Sequence, residues 1–373
     1  MTSDSPSTST DPMQEALALA GNAIGRSDPN PRVGCVIVGA DGSTLGRGFT
    51  QEAGGPHAEI VALRDAASLG ADVRGATVHV TLEPCSHHGR TAPCADALIA
   101  AGVGRVVIAM RDPNPLVSGQ GAARLAASGI AVDWGPGADE ARELNIGFVS
   151  RMERGRPWLR MKVAISLDGR TALADGTSQW ITGEAARADG HAWRKRAGAV
   201  LTGVGTVRED DPRLDVRFVE TARQPLRIVV DSRLETPLDA RIVAPPGQVL
   251  LYAAIDDIER RRALEARAVE IALAPSPSGK VDLAAMLADL GRRGINELHV
   301  EAGEKLNASL LAAGLVDELL VYVAPRLVGS GRGLAALGPI ARLDDALGFA
   351  FTRIATIGDD LRLTLRPRPA VDR

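Results

Sequence analysis

The feature that most constrains this chain is His57-Ala58-Glu59, followed by Pro84-Cys85 and then Cys94. A fold that accommodates it must bring one histidine and two cysteines, from separate segments, to a single point. That is the outline of a hydrolytic zinc site. Zinc that performs chemistry keeps three protein ligands and leaves its fourth position to water, whose pKa it lowers from about 15.7 toward roughly 7. His57, Cys85 and Cys94 are the candidate ligands. Glu59, two residues past the histidine, suits a carboxylate that moves protons between that water and a leaving amine. A closed structural site would instead use four Cys or His ligands and carry no spare carboxylate.

The order H-x-E then P-C is that of zinc deaminases acting on nucleobase-like rings, with one departure. Eight residues separate Cys85 from Cys94, where the simplest form has two. The intervening segment holds His87 and His88, either able to replace a ligand, and Arg90, able to meet an anionic substrate. Cys35, inside the apolar run Val33 to Val38, reads as a small core residue. Two of the three cysteines on a metal leave no disulfide framework, which suits a reducing, cytoplasmic setting.

At 373 residues the chain is expected to form two domains. Its net charge of -3, its 3% aromatics and the lack of a separate basic tract argue against a nucleic-acid groove with stacking platforms. The run Glu259 to Arg262 reads as a solvated helix face. Residues 1–12 are mostly Ser, Thr, Asp and Pro and read as a disordered tail, without the apolar core of a signal peptide. No apolar stretch approaches the ~20 residues of a membrane helix.

The first 150 residues alternate helix and strand patterns. Asp11-Pro12 is an N-cap and first-turn pair for a helix with Met13, Leu17, Ala20 and Ile24 on one stripe. A hairpin of Val33 to Val38 and Leu45 to Thr50 follows, and a helix begins at His57. Ala76 to Leu82 is a strand, Pro93-Cys94 opens a helix that stops at Gly102, and Arg105 to Met110 and Ile130 to Trp134 are strands. The ligands thus fall at strand-to-helix junctions of a helix-flanked mixed sheet, where helix N-termini favour thiolates. Residues 151–157, charged and containing Gly155 and Pro157, read as a linker.

A second α/β pattern runs from Trp158, with strands at Leu159 to Ile165, Ala199 to Thr202, Leu226 to Val230, Val249 to Tyr252, Glu297 to Val300 and Glu318 to Val323. Helices fit between them, among others at Asp256 to Ala268 and Leu283 to Gly291. Gly203-Val204-Gly205 begins like a dinucleotide fingerprint but fails as one, because Arg208 stands where the third glycine belongs. Glu301-Ala302-Gly303-Glu304-Lys305 ends a strand and opens a helix whose backbone N–H groups suit a pyrophosphate. Ser232-Arg233, after the strand ending at Asp231, suits an additional ribose phosphate or a plain surface turn.

Three runs carry a family resemblance: Asp28 to Cys35, Thr81 to Thr91, and Ser166 to Arg170 with Ser178 to Thr182. Together they resemble the bifunctional riboflavin biosynthesis deaminase-reductases, over nearly the whole chain. The resemblance implies that the long inter-cysteine segment is a family trait. It implies a cytidine-deaminase-like zinc domain over 13–150 and a dihydrofolate-reductase-like α/β domain using NADPH over 158–373. The implied substrate is a small pyrimidine ribosyl phosphate, with Asn30 as its contact in the first half, unless that residue only makes the turn between its prolines, and His87 and Arg90 as secondary candidates for the same pocket. In the second half Lys162 and Glu301 are the catalytic candidates. The resemblance places Ala164, Trp180, Thr206, Asp210, Ser232, Gly303, Glu304, Lys305 and Leu306 at the cofactor. It places Ser178, Arg194, Leu214, Arg217 and Glu301 at the substrate, the arginines taking its phosphate. It also implies a homo-oligomer built through the second half.

Overall fold

The computed structural model describes residues 11–86, 93–115 and 117–368. His87, His88 and Arg90 therefore lie outside the described residues. The chain divides into two compact units, Met1–Arg154 and Gly155–Arg373.

In the first unit, Asp11 accepts a hydrogen bond from the Met13 N–H and Pro12 opens the helix Pro12–Gly21, with Met13, Ala16 and Ala20 buried. Five strands follow: β1 (Gly34–Val38), β2 (Thr44–Phe49), β3 (Thr77–Val80), β4 (Arg105–Ile108) and β5 (Ala131–Trp134). They form one sheet in the order β2-β1-β3-β4-β5. β1 is antiparallel to β2 and β3, while β3, β4 and β5 run parallel, so the sheet is mixed as expected. Cys35 is fully buried in this core, and its thiol is raised well above its ordinary pKa by burial and by Glu59.

Two glycines in β2 set the position of the next helix, Ala58–Ser68. A Cβ on Gly46 would fall 2.3 Å from the Ala62 carbonyl oxygen, and one on Gly48 would fall 2.2 Å from that of Ala58. Only a strand without side chains there lets the helix lie so close, and its N-cap is His57. Arg151 to Arg154 differ from the expected linker. They end the helix Ile146–Arg154, because five consecutive residues from Ile146 to Ser150 bury against the unit and Gly155, at φ 69°, supplies the break.

The second unit is built on β6 (Trp158–Ser166), β8 (Ala199–Gly203), β9 (Leu226–Val230), β10 (Val249–Ala253), β11 (Val269–Leu273), β12 (Glu297–Val300), β13 (Glu318–Ala324), β15 (Phe349–Ile357) and β16 (Asp360–Pro367). Their order is β11-β10-β9-β8-β12-β6-β13-β16-β15. The strands from β11 through β13 are parallel and the β15–β16 hairpin is antiparallel. A separate two-stranded ribbon pairs β7 (Ala172–Leu173) with β14 (Gly331–Arg332).

The two faces of this sheet differ in chemistry. Leu159, Met161 and Val163 of β6, Leu298 and Val300 of β12, and Leu319 and Val321 of β13 share one apolar core. The alternate positions, Arg160 and Lys162, Glu297 and His299, Glu318 and Tyr322, occupy the opposite face. There Arg160, 1% exposed, pairs with Glu297 at 2.8 Å and with Glu318, and its guanidinium lies 4.3 Å from the centre of the Trp193 ring. Trp193 comes from the helix Glu184–Arg196, and Asp189 of the same helix binds Arg362 of β16 at 2.8 Å. A buried charge is tolerable only when it is paired, and these charges pair.

β11, β15 and β16 are absent from the sequence reading. β15 is exposed along most of its length, so it lacks an inward apolar alternation. In β16 the pattern is inverted, since Arg362 and Thr364 are buried while Leu361 is exposed. The run Glu259 to Arg262 is only partly a solvated face. Arg260 donates to the carbonyls of Leu234 (2.9 Å) and Thr236 (2.8 Å). Among the described residues no helix is long and apolar enough to cross a membrane.

Candidate active sites in the two units

In the first unit the two ligand-bearing segments converge because each connects a strand to the helix that follows it, β2 to Ala58–Ser68 and β3 to Cys94–Ala101. His57 caps Ala58–Ser68, and Cys94 is the first residue of the helix Cys94–Ala101. The His57 Nδ1 lies 3.6 Å from the Cys85 Sγ and 3.3 Å from the Cys94 Sγ. The Cys94 N–H donates to the Cys85 Sγ at 3.3 Å. All three ligand atoms lie within 4.8 Å of one another. Hydrogen bonds from Cys94 and His57 lower the Cys85 thiol below its usual range, while the same Cys85, together with burial, raises Cys94. One nitrogen and two sulfurs at this spacing fit a tetrahedral ion that leaves one position open.

Glu59 is 3% exposed, and burial, reinforced by the neighbouring Cys85, pushes its carboxyl up to about 7. A cavity of about 570 Å³ opens in front of these groups, lined among others by Asn30, His57, Glu59, Cys85, Asp112, Asn114 and Arg151. Asn30 is thus brought to the site. The sequence reading missed Asp112, Asn114 and Arg151. A signal was present: Asp28-Pro29-Asn30-Pro31 recurs as Asp112-Pro113-Asn114-Pro115, and both copies line the cavity. Glu83 was also missed. Its buried carboxylate accepts from the backbone N–H groups of Asp112 (3.3 Å), Gly119 (2.9 Å) and Ala122 (3.2 Å), which holds the second copy in place.

In the second unit Lys162 and Glu301 meet, with Nζ 3.8 Å from Oε2. Arg194 donates to both carboxylate oxygens, its Nη2 at 3.0 Å from Oε2, and its Nη1 donates to the Asp215 carbonyl at 2.9 Å. Burial opposes the charge on Glu301, but Arg194 and Lys162 outweigh it and hold the carboxyl well below its usual range. Lys162 is lowered by burial and by Arg194, with Glu301 working against them.

The remaining second-half candidates lie in the segments that connect the strands and in the helices Val204–Asp210 and Glu304–Ala312, apart from Ala164 in β6. Ser178 donates to Asp210 at 3.2 Å, and the Gly303 N–H donates to the Thr206 hydroxyl at 3.1 Å. The helices Val204–Asp210 and Glu304–Ala312, which follow adjacent strands β8 and β12, both lack a side-chain N-cap. Ala164 lies in β6 and Leu306 in the second of these helices, whose first turn holds Glu304 and Lys305. Trp180 is 60% exposed, with Arg187 stacked 4.7 Å from its ring. Arg217 pairs with Asp215 at 2.6 Å. Ser232 accepts from the Val281 N–H at 3.1 Å. The Leu214 side chain is buried in an apolar cluster at φ 52°, so only its main chain can face a ligand.

Residues 6–110 match the family model for the cytidine and deoxycytidylate deaminase zinc-binding region, and residues 157–363 match that for the RibD C-terminal domain. The chain is 47% identical to the riboflavin biosynthesis protein RibD of Escherichia coli K12, covering 95% of this chain and 98% of the relative. It is 40% identical to RibD of Aquifex aeolicus, covering 94% and 96%. Among solved structures, Acinetobacter baumannii RibD superposes with a TM-score of 0.87 at 40% identity, covering 96% of this chain and 98% of that one. A Thermotoga maritima diaminohydroxyphosphoribosylaminopyrimidine deaminase/5-amino-6-(5-phosphoribosylamino)uracil reductase does so with 0.87 at 34%, with the same coverage. The molecule is a two-unit enzyme, a deaminase joined to a reductase. The chain belongs to the RibD family of bifunctional riboflavin biosynthesis proteins.

Proposed function

We propose that the first unit hydrolytically deaminates 2,5-diamino-6-(5-phosphoribosylamino)pyrimidin-4-one to 5-amino-6-(5-phosphoribosylamino)uracil. The second unit then reduces the ribosyl group with NADPH to give 5-amino-6-(5-phosphoribitylamino)uracil. The observation that carries this reading is the convergence of His57, Cys85 and Cys94 beside the buried Glu59, in a cavity large enough for a pyrimidine nucleotide.

Zinc held by those three residues would acidify a water for attack on the ring carbon that bears the amine. Glu59, held near neutral pKa by its burial, takes a proton from that water and returns protons to the ring nitrogen and the departing ammonia. Asn30, Asp112 and Asn114 supply polar contacts for the ring and sugar. Arg151 lines the same cavity and suits the substrate's phosphate.

In the second unit NADPH would supply the hydride. The uncapped helix ends after β8 and β12 suit its pyrophosphate, with Thr206, Asp210 and Gly303 to Leu306 beside it. Ala164, Trp180 and Ser232 are further proposed contacts. Lys162 gives or holds the proton at the sugar carbon's nitrogen or oxygen while Glu301 keeps it charged and placed. Ser178, Arg194, Arg217 and the Leu214 main chain orient the ribosyl phosphate. The exposed side chains of Phe351 and Ile354 on the outer strand β15 support a homo-oligomer formed by this unit. The reading is of a cytoplasmic enzyme whose partners are small molecules, with neither nucleic acid nor membrane among them.

The test is a two-stage trace on zinc-loaded protein. Ammonia should appear on adding the diaminopyrimidinone, and NADPH should then be consumed. Ammonia without NADPH oxidation would remove the second half of the reading.

A further inference from the structure

We propose that His299 is a positioning residue of the reductase site, holding Glu301 in the orientation that serves Lys162. The inference rests on the reductase reading of that cluster. His299 and Glu301 are alternate positions at the end of β12 and face the same side of the sheet. His299 is fully buried, and its Nε2 lies 3.4 Å from the Glu301 Oε1. Neither ring nitrogen has a formed hydrogen bond, so the approach to Glu301 is the one polar contact on which Nε2 can close. A polar ring sealed from water without partners is costly, and a buried position rarely keeps one without a use.

Its surroundings say what the use is. In register, His299 stands opposite Arg160 of β6 on one side and Val200 of β8 on the other. Burial lowers the imidazole's pKa, with Arg160 and Arg194 adding to it and Glu301 working against it, and the net shift favours the neutral ring. Protonated on Nε2, it offers Glu301 a donor that brings no charge. Arg194 is a different kind of partner. It belongs to the helix Glu184–Arg196, holds both Glu301 oxygens, and is also placed to take the substrate's phosphate. When substrate draws on Arg194, the carboxylate needs a second restraint that does not move with the ligand. His299 is two residues away on the central strand and supplies it.

The test uses the full-length, zinc-loaded enzyme, with the deaminated intermediate made in place by the first unit. His299→Leu is expected to lower the rate of NADPH oxidation at saturation by about tenfold to a hundredfold. The KM for NADPH should stay within about twofold, because uniform binding is untouched, and ammonia release should match wild type. His299→Gln, whose amide nitrogen reaches about as far as Nε2, is expected to restore most of the rate. His299→Asn, which reaches only about as far as Nδ1, should fall with the leucine variant and serves in its place if that variant does not fold. A folded Leu or Asn variant that reduces at the wild-type rate, or a Gln variant no better than Asn, overturns the inference while leaving the reductase reading intact. A wild-type enzyme that releases ammonia but oxidises no NADPH overturns both.

Discussion

Glu59 sits two residues beyond the candidate ligand His57, and the fold keeps it dry. A proton carrier in that place is separable from metal binding. Glu59→Gln is expected to retain the zinc content of wild type and to lose ammonia release by about 10²- to 10⁴-fold. Reduction of supplied deaminated product should be unchanged, and the three readouts are metal analysis, an ammonia assay and NADPH absorbance. Arg151→Gln should act differently, raising the KM for deamination about tenfold or more with kcat nearly kept, as expected when one charge-assisted contact is removed. His191 offers a pH test. Its Nδ1 accepts from the Arg217 N–H at 3.2 Å, and burial together with Arg194 and Arg217 lowers it to about 4. The unfolded histidine titrates near about 6.5, so the unfolded chain binds the proton first. Its contribution to stability is complete above that pH and is lost as the pH falls toward about 4. Denaturant midpoints measured across that window should fall less steeply in His191→Asn than in wild type. At this scale the meeting of His57, Cys85 and Cys94 beside Glu59 was legible because their spacing has few other meanings. Arg151 was not, because an arginine in a charged run looks the same whether it meets water or a cavity.

Helices and strands were legible where apolar residues follow one period and a cap marks the start, as at Asp11-Pro12, His57 and Cys94. They were not legible in β16, where the buried side carries Arg362 and Thr364. Local pattern reading expects charge to point outward, and only the distant Asp189 makes the reverse arrangement tolerable. The same charged layer makes a stability prediction. Arg160→Ala takes one of two cationic partners from each of Glu297 and Glu318, leaving them Arg196 and Arg366, and should cost about 1.5–3 kcal/mol, seen as an earlier urea transition of the second unit. In the first unit Gly48→Ala drives a methyl group into the Ala58 carbonyl. It should cost about 1–3 kcal/mol and depress deamination, since His57 and Glu59 sit at the displaced end of that helix.

For the molecule as a whole, each unit holds its own chemistry, and no residue proposed for one is drawn from the other. A chelator strong enough to strip zinc should therefore abolish ammonia release while leaving reduction of supplied deaminated product at its original rate. Two domains were legible from length and from the change in pattern near residue 155. The separate character of the sheet's two faces in the second unit was not, because it depends on which strands become neighbours. Strand order is a property of the folded chain, which places Glu318 and Glu297 on either side of Arg160 although both lie far along the sequence.

The deaminase cavity combines a fixed wall with an adjustable one, which bears on how its specificity could be redesigned. The wall carrying His57 and Glu59 is locked by backbone packed against the bare α-carbons of Gly46 and Gly48. The segment that brings Asp112, Asn114 and Val117 to the cavity is held instead through backbone N–H groups, those of Asp112, Gly119 and Ala122, on the Glu83 carboxylate. Libraries aimed at new heterocycles should vary Asp112, Asn114 and Val117 and leave Glu83, Gly46 and Gly48 alone.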